Sequence, residues 1–384
     1  MKRVYFDNGA TSYPKAPGVG DAVKDYIENV GGNINRGVYR TAVSAENTVF
    51  ETRELISEMF GYGDYPENVV FTKNITESLN TVIKGLLKSG DRVIVSSMEH
   101  NAVMRPLNSM KNYGVDFIRI KCNENGELDI AEFEKELSNN NVKAVIMTAA
   151  SNVCGTIMPI EEIGKLCRKY KAIFVLDAAQ AAGVINLDME KMNIDILCFT
   201  GHKSLLGPQG TGGFLIRKEI VEKVDSFIEG GTGSLSDTEI QPSYMPDKYE
   251  SGTMNIPGIF GLNASLKYIL DTGIDNIHKR EMELTERFIK KVKEIDGIRI
   301  IGKKDTENRT SVVSIDFENM DNGIVSHTLD KEYGIATRSG MHCAPSAHKT
   351  LDTFPRGTVR FSFGYFNTEE EIDYAVEAIK NIIK

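Results

Sequence analysis

The sequence lacks the features that mark several common classes of protein. No apolar run approaches the roughly 20 residues that a membrane-spanning helix needs, and the opening residues 1–7 contain no apolar signal core. With 45 Lys and Arg against 54 Asp and Glu, the formal net charge is −9. A nucleic-acid partner would favour a basic patch instead. We therefore expect a cytoplasmic protein whose partners are neither a membrane nor nucleic acid.

Cysteine is scarce, and its spacing disfavours two kinds of site. The five cysteines are an odd number, and no two of them form a CxxC pair, so neither a disulfide framework nor a structural zinc site is expected. The chain has no internal repeat and no low-complexity segment. At 384 residues, with 41% hydrophobic and 26% charged residues, it has an ordinary globular composition and is long enough for two domains.

The stretch from residue 196 to 213 combines a lysine with a glycine-rich turn. The apolar residues 196–199 lead directly into Thr200, His202 and Lys203, and five glycines and a proline follow or interleave. The phosphate-loop pattern GxxxxGK[ST] is absent. An amine held at a strand end, beside a hydroxyl and an imidazole, is suited to forming a Schiff base with a carbonyl. The alternative for Lys203 alone is a solvated surface lysine.

Short apolar strands alternate with helical segments through the first half of the chain. Predicted strands cover residues 69–71, 92–96, 142–148, 172–176 and 194–199, and predicted helices include 21–30, 44–60 and 159–170. This alternation indicates an α/β fold with a mostly parallel sheet that is covered by helices on both faces.

Polar side chains follow these strands, at the ends where a parallel α/β sheet binds its ligands. The candidates are Asn74 with Thr76, His100, Asn152, Asp177 with Gln180, and Thr200 with His202 and Lys203. Each has an ordinary alternative when taken alone, because polar residues are common at such junctions. Five groups at one edge of one sheet are better explained by a shared site.

The chemistry of these side chains indicates a phosphorylated aromatic aldehyde. A helix start at Asn74 and Thr76 offers N–H groups and a hydroxyl to phosphate. Asp177 closes an apolar strand, where a carboxylate would pair with a protonated ring nitrogen. The flat imidazole of His100 can stack on a ring, and Lys203 can bind an aldehyde. Together these features describe pyridoxal 5'-phosphate (PLP).

The pattern changes after a long loop at residues 227–256, a length that is typical of functional or disordered segments. Predicted helices 258–271 and 275–295 follow, and strands 311–317 and 358–364 then alternate with helices near 323–332 and 368–383. We predict three parts: an N-terminal segment at 1–20 that packs near the small domain, a large domain at 21–256, and a small C-terminal α/β domain at 257–384.

Two features of the predicted small domain carry chemistry. Cys343 lies in a loop bounded by a glycine and a proline, where Arg338 and His342 are placed to lower the pKa of its thiol. The alternative for Cys343 is a small packing residue. Arg360 alternates with apolar neighbours in a strand. An arginine in a half-buried strand needs an anion, and a substrate carboxylate suits its bidentate geometry.

In this order and spacing, the residues resemble the cysteine desulfurase and selenocysteine lyase group of the class V aminotransferase-fold PLP enzymes. The resemblance runs nearly end to end, and the Cys343 loop is similar to that of the shorter-loop, group II members. The matching segments are 5–11, 35–37, 76–77, 99–100, 151–153, 177–180, 200–203, 250–253, 338–343 and Arg360. The resemblance implies the PLP-dependent transferase fold type I, with a large domain and a smaller C-terminal α/β domain.

The resemblance also implies roles around the cofactor. Lys203 would hold PLP covalently, Asp177 would bind the pyridine nitrogen, Gln180 would bind the ring hydroxyl, and His100 would stack on the ring and take part in catalysis. The implied phosphate contacts come from Thr76, Ile75, Thr200 and His202, and from Thr253 of a second subunit. The last of these implies a homodimer.

For the substrate, the resemblance implies that Asn152 and Arg360 hold the carboxylate and that Arg36 and Arg338 also line the site. Cys343 would be the nucleophile that accepts sulfur. Four positions depart from the group's pattern. Ile75 stands where a hydroxyl residue is common, Thr200 replaces a serine, and Tyr39 and Met341 stand where histidines are usual.

The function that the resemblance implies is PLP-dependent desulfuration of L-cysteine to L-alanine, which leaves a persulfide on Cys343 for a sulfur-acceptor protein. One alternative is a selenocysteine lyase. Others are a class V aminotransferase, an epimerase or a C–S lyase in which Cys343 is not catalytic. A non-catalytic cofactor-binding or sulfur-relay scaffold is the alternative from another class. An iron–sulfur cluster assembly scaffold, a tRNA-modifying enzyme and a selenium pathway all stay open as the recipient of sulfur.

Overall fold

The computed structural model describes residues 3–34, 37–234 and 237–384, and strands and helices alternate through most of them. Up to residue 216 the elements are β1 (Val4–Tyr5), α1 (Val19–Asp25), α2 (Arg40–Met59), β2 (Val69–Thr72), α3 (Ile75–Leu86), β3 (Arg92–Ser96), α4 (Asn101–Met110), β4 (Asp116–Ile120), α5 (Ile130–Asn139), β5 (Val142–Thr148), α6 (Ile160–Tyr170), β6 (Ile173–Asp177), β7 (Ile196–Thr200) and β8 (Gly212–Ile216). The later elements are α7 (Ile256–Thr272), α8 (Ile274–Val292), β9 (Ile298–Ile301), β10 (Val312–Phe317), α9 (Asn322–Tyr333), β11 (Ile335–Ala336), β12 (Arg338–Gly340), α10 (Pro345–Thr350), β13 (Thr358–Ser362) and α11 (Glu369–Ile383).

The central sheet has seven strands in the order β2-β8-β7-β6-β5-β3-β4. Strand β8 runs antiparallel to both of its neighbours, and the pairs from β7 to β4 are parallel. The prediction of an α/β fold with a mostly parallel sheet is therefore confirmed. Because β2, β3, β5, β6 and β7 share one direction, their carboxyl ends meet at one edge, and we call the loop tips that follow them the rim.

Strand β8 was missed in the sequence because it begins with two glycines, which are usually depleted in strands. The packing explains one of them. A Cβ atom at Gly213 would lie 2.3 Å from the carbonyl oxygen of Val70 and 2.6 Å from the ring of Phe199. Only glycine lets the neighbouring strand and this ring approach so closely.

Apolar side chains fill both faces of the central sheet. One buried cluster includes Phe174 and Leu197 from strands, together with Ile56 of α2 and Leu262 of α7. A second cluster, on the opposite face, joins strand residues to Leu79 of α3 and other helical residues. This burial on both faces explains why the strands read as continuous apolar runs.

A second sheet, with four antiparallel strands in the order β12-β13-β10-β9, lies in the C-terminal part of the chain. Its buried side chains pack with α8 and α11, and strand β1 pairs in parallel with β11. Helix α7 packs into the first large cluster, as does Ile277 near the start of α8. The limits at 20 and 256 stay predictions. None of the helices in the described ranges combines the length and apolar character that crossing a membrane requires.

Candidate active site

The rim brings together most of the residues that the sequence singled out. Thr76 lies at the start of α3, His100 at the start of α4, and Asn152 just beyond β5. Gln180 follows β6, whose last residue is Asp177, and Lys203 follows β7. The sheet order places these tips side by side, because β7, β6, β5 and β3 are consecutive neighbours.

Lys203 and Asp177 form the charged centre of the rim. Asp177 is 2% exposed, and its Oδ1 accepts a hydrogen bond of 3.0 Å from the backbone N–H of Ala179. Burial raises the pKa of Asp177, while this hydrogen bond and Lys203 lower it. Burial lowers the pKa of Lys203 to about 8; Asp177 opposes that shift, and the positive charge of Arg360 adds to it. The amine therefore loses its proton more easily than an exposed lysine would.

His100 is held in place by its own backbone turn. It precedes α4, and its Nδ1 accepts a hydrogen bond of 3.0 Å from the N–H of Ala102. Burial lowers the pKa of His100 to about 4, and the charge of Lys203 adds to the effect. At neutral pH the imidazole is therefore uncharged, and Nδ1 is the acceptor. A neutral ring with one fixed nitrogen is suited to stacking on an aromatic ligand.

The residues around Lys203 are tied to the N-terminal segment. The carbonyl oxygen of His202 accepts hydrogen bonds from Ser12 N at 2.9 Å and Lys15 Nζ at 2.8 Å. Gln180 Nε2 donates to the carbonyl of Gly9 at 3.0 Å. The hydroxyl of Thr200 donates to the carbonyl of Thr211 over 3.5 Å. The N-terminal segment thus closes one side of the site.

Arg360 lies 2% exposed in β13, and two groups orient its guanidinium. Its Nη2 is 2.8 Å from Oδ1 of Asp7, and its Nη1 donates to the carbonyl of Asn152 at 3.1 Å. Asn152 in turn donates from Nδ2 to the carbonyl of His342 at 2.6 Å. Arg338 is exposed and lies opposite Arg360 in the β12–β13 register. Its charge contributes to lowering the pKa values of Lys203 and His100.

Cys343 differs from the other cysteines in its exposure. All five cysteines lie in the described ranges; four are buried, and Cys343 is exposed. His342 and Cys343 both have left-handed backbone conformations, with φ of 45° and 57°, which are unfavourable for residues with a Cβ. The carbonyl of Cys343 accepts a hydrogen bond of 2.8 Å from Asn101 N. This bond fixes the cysteine loop beside the first turn of α4.

The predicted effect of His342 on the Cys343 thiol is wrong. The His342 ring is buried, and its Nε2 lies 2.9 Å from the hydroxyl of Thr358. Burial lowers the pKa of His342 to about 2, so the ring is uncharged and cannot act as a neighbouring cation. The sequence placed His342 beside Cys343, but the turn directs its ring into the interior.

A cavity of about 380 Å³ connects the cysteine loop with the rim. Its lining includes Cys343, His100, Thr76, Asn80 and Arg105. Thr76 is exposed at the start of α3, and Ile75 is buried with 7% exposure. The side chain of Ile75 therefore belongs to the core, and its position at a helix start leaves its backbone N–H as the polar group that it offers.

Two predicted site residues need separate mention, because one is not described by the structure and the other lines a different cavity. Arg36 lies outside the described residues. Thr253 is exposed and lines a different cavity, with Phe71 and Lys73. The loop that carries Thr253 is anchored by Glu250, whose carboxylate forms a bidentate, buried pair with Arg53 at 2.9 and 2.6 Å.

The sequence reasoning missed the role of Asp7. Residues 5–11 carry part of the family resemblance, but no local pattern links Asp7 to Arg360, which is 353 positions away. No role was assigned from the sequence to Glu99, which is fully buried and directly precedes His100. The available signal for Glu99 was its position next to His100, in the segment that follows the apolar strand β3.

The fold and this arrangement agree with comparisons to known proteins. Residues 4–375 match the family model described as Aminotransferase class-V, and the chain belongs to this family, whose enzymes are PLP-dependent. Among named relatives, a probable cysteine desulfurase from Pyrococcus abyssi is 34% identical, and the match covers 99% of this chain and 94% of the relative.

Two solved structures extend the comparison. The apo structure of a cysteine desulfurase from Thermococcus onnurineus matches with a TM-score of 0.93 at 32% identity, over 99% of this chain and 94% of that chain. An S-sulfonic acid form of a cysteine desulfurase from Escherichia coli matches with a TM-score of 0.88 at 26% identity, again over 99% and 94%. The predicted family and fold are confirmed.

The described residues fit PLP. His202 Nδ1 is buried and has no hydrogen-bond partner among the described residues, so it is available to a phosphate oxygen. Asp177 is a buried carboxylate that can hold a protonated ring nitrogen, and Lys203 has an amine with a lowered pKa. A buried acid, a neutral imidazole and a reactive amine at one sheet edge are the groups that this cofactor requires.

Proposed function

We propose that this protein is a PLP-dependent cysteine desulfurase that converts L-cysteine to L-alanine and stores the sulfur on Cys343. The observation that carries the proposal is the location of Cys343. It is the exposed thiol among the five cysteines, and it opens into the cavity that also contains His100 and Thr76. The names of the relatives support the same activity.

Lys203 is the group that would hold the cofactor and move protons. When bound, PLP supplies an electron sink for the negative charge that develops at the substrate Cα. The Nζ of Lys203 would accept the Cα proton and later return one, which its pKa of about 8 favours. Asp177 would keep the ring nitrogen protonated, and His100 would cover one face of the ring.

Arg360 and Asn152 would bind the substrate carboxylate. Arg360 is positioned by Asp7 and by the carbonyl of Asn152, so its guanidinium meets the substrate in a fixed orientation. Preorganised donors of this kind lose little freedom when the substrate binds. With the carboxylate held there, we propose that the substrate thiol faces the cavity of Cys343.

In the sulfur-transfer step, the Cys343 thiolate would attack the substrate sulfur. The substrate C–S bond breaks, and its electron pair stays with the substrate carbon, which takes up a proton. A new S–S bond joins the sulfur to Cys343. The products are L-alanine and a persulfide on Cys343, so atoms and electrons balance without another reactant. An acceptor thiol would then remove the outer sulfur.

We also propose that the enzyme is a homodimer. Tyr39, Val43 and Phe50 are 55%, 43% and 48% exposed. Tyr39 directly precedes α2, and Val43 and Phe50, seven residues apart within α2, share one face of the helix. An exposed apolar face supports a contact with a second copy. Thr253 lines a cavity whose lining does not include Lys203 of its own chain, as expected for a residue that completes the other subunit's phosphate site.

The experiment that tests the function is Cys343→Ala. We expect the variant to bind PLP and show its visible absorbance but to form no sulfide or alanine from L-cysteine. Cys167→Ala serves as the control, because Cys167 is buried in α6 with 1% exposure; it should keep turnover. Undiminished desulfuration by Cys343→Ala would refute the proposed nucleophile. Assays with selenocysteine and keto acids separate the lyase and aminotransferase alternatives.

A further inference from the structure

Glu99 is a buried carboxyl group at the centre of the rim. It is 0% exposed and follows β3, directly before His100. No Lys, Arg or His in the described parts of the chain forms an ion pair with it. A buried carboxylate without a cation is costly. Its location therefore requires an explanation other than a salt bridge.

The two carboxyl oxygens of Glu99 join two strand ends. Oε1 lies 2.5 Å from the hydroxyl and 3.3 Å from the N–H of Ser96, the last residue of β3. Oε2 accepts a hydrogen bond of 2.9 Å from the N–H of Thr148, the last residue of β5. One side chain thus fixes the tip that carries His100 to the tip that leads to Asn152.

The hydrogen bond from Thr148 to Glu99 also affects the position of Asp177, because Thr148 and Asp177 are neighbours in the sheet. Thr148 is paired with Asp177 in the β5–β6 register, and the next N–H, that of Ala149, donates to the carbonyl of Asp177 at 2.8 Å. A shift of Thr148 would therefore move both Asp177 and the Asn152 loop. Two carboxyl groups so close together cannot both be ionised cheaply.

Three donors converge on the carboxyl group of Glu99: the N–H and the hydroxyl of Ser96 on Oε1, and the N–H of Thr148 on Oε2. The hydroxyl of Ser96 accepts the N–H of Met98 at 3.1 Å and donates its own hydrogen to Glu99. The other oxygen of Glu99 remains the acceptor for Thr148. Burial, with the nearby charge of Asp177 in the same direction, raises the pKa of Glu99 to about 8, against the hydrogen bonds from Ser96 and Thr148.

We propose that Glu99 is a positioning residue whose carboxyl group holds the loop tips of His100 and Asp177 in register by bridging the ends of β3 and β5. It touches neither substrate nor cofactor. The inference rests on the proposed function for its kinetic consequences, but the geometry and the spectroscopic test below do not depend on desulfuration.

Three variants of the holoenzyme test the proposal. Glu99→Gln keeps the length of the side chain and an oxygen that accepts from Thr148, and its amide N–H₂ can meet the Ser96 hydroxyl oxygen in a rotated hydrogen bond. Glu99→Asp keeps the acid but is one methylene too short to span both strands. Asp195→Asn is the matched control, because Asp195 is another buried carboxyl group, accepts the N–H of Phe174 at 2.8 Å, and precedes β7 at the sheet edge opposite the rim.

We expect Glu99→Gln to keep the visible absorbance of bound PLP and its pH dependence, as in the wild type and in Asp195→Asn. Glu99→Asp should shift the pH dependence of that absorbance. It should also lower kcat about 10- to 100-fold, the scale of a displacement near 1 Å, with little change in KM. Thermal unfolding of each apoprotein checks that the fold is retained.

Two results would overturn the proposal. If Glu99→Gln perturbs the cofactor spectrum as strongly as Glu99→Asp, the length of the side chain is not what matters, and the bridge between the two strand ends does not explain the role of Glu99. If both variants lower thermal stability but leave the spectrum unchanged, Glu99 only supports the fold. Loss of desulfuration with all proteins, combined with the expected spectral pattern, would reject the proposed function and leave the role of Glu99 intact.

Discussion

Asp7 and Arg360 form an ion pair of 2.8 Å between Oδ1 and Nη2, and it joins the N-terminal segment to the last strand of the small sheet. The same segment donates Gly9 N to the hydroxyl of Ser362 at 2.7 Å. Arg360 is 2% exposed, and its Nε has no partner among the described residues. The guanidinium is therefore held in a fixed orientation while its Nε–H lacks an acceptor among them, as expected for a residue that binds an anionic ligand.

The first prediction concerns that ligand. Arg360→Lys should lower kcat/KM for L-cysteine about 10- to 100-fold, because hydrogen bonds to charged groups contribute about 1.5–3 kcal/mol and lysine cannot make the bidentate contact. The slow reaction of cysteamine, which lacks the carboxylate, should change much less. Steady-state kinetics with both compounds measure the difference. An equal loss for both would show that Arg360 does not bind the carboxylate.

The sequence predicted the elements of the rim better than their connections. Apolar strands followed by polar tips located His100, Asp177 and Lys203 correctly at one sheet edge, because strand direction alone places those tips together. The pair of Asp7 and Arg360 has no local pattern, since its partners are 353 positions apart. The ring direction of His342 depends on a left-handed turn, which residue type does not reveal in a non-glycine residue.

The second prediction concerns Lys203 in the apoprotein. An amine attacks an aldehyde only when it is neutral, and burial lowers the pKa of Lys203 to about 8. The rate of cofactor attachment should therefore rise about tenfold per pH unit below that value and level off above it. The change in visible absorbance on mixing apoprotein with PLP measures this rate.

Asp177→Asn provides the control for this pH profile. Asp177 opposes the lowering of the Lys203 pKa, so the substitution should move the midpoint to lower pH. A midpoint in the wild type near the ordinary value for lysine, 10.5, would contradict the assignment of a buried amine.

The third prediction concerns the proposed dimer. Val43→Glu places a charge on the exposed apolar face of α2, and burying an unpaired charge in an interface is costly. We expect the variant to sediment as a monomer at concentrations where the wild type is a dimer. It should also retain PLP less well, because Thr253 would no longer reach the second site. Ile324→Glu, at an exposed apolar position in α9, should change neither property; equal behaviour of the two variants would exclude the α2 face.

The last prediction concerns Glu281, a buried carboxyl group in α8. Its Oε2 lies 2.8 Å from the hydroxyl of Ser311, which also donates to the carbonyl of Phe363 at 2.7 Å. One hydroxyl hydrogen cannot serve both acceptors, so the acid proton of Glu281 is the donor to Ser311. Burial accordingly raises the pKa of Glu281 from 4.5 to about 8.

The sign of the resulting pH dependence follows from proton binding. Between pH 4.5 and about 8 the unfolded chain has lost the proton at this position and the folded chain keeps it. The wild type should therefore lose about 1.4 kcal/mol of stability per pH unit across this window through this group.

Glu281→Gln donates its amide N–H₂ to Ser311 without titrating, so its stability advantage over the wild type should grow toward pH 8. Urea unfolding of the apoproteins at several pH values measures the two curves, with the exposed Glu318→Gln as the control that should track the wild type. Parallel curves for Glu281→Gln and the wild type would show that Glu281 ionises normally in the folded protein.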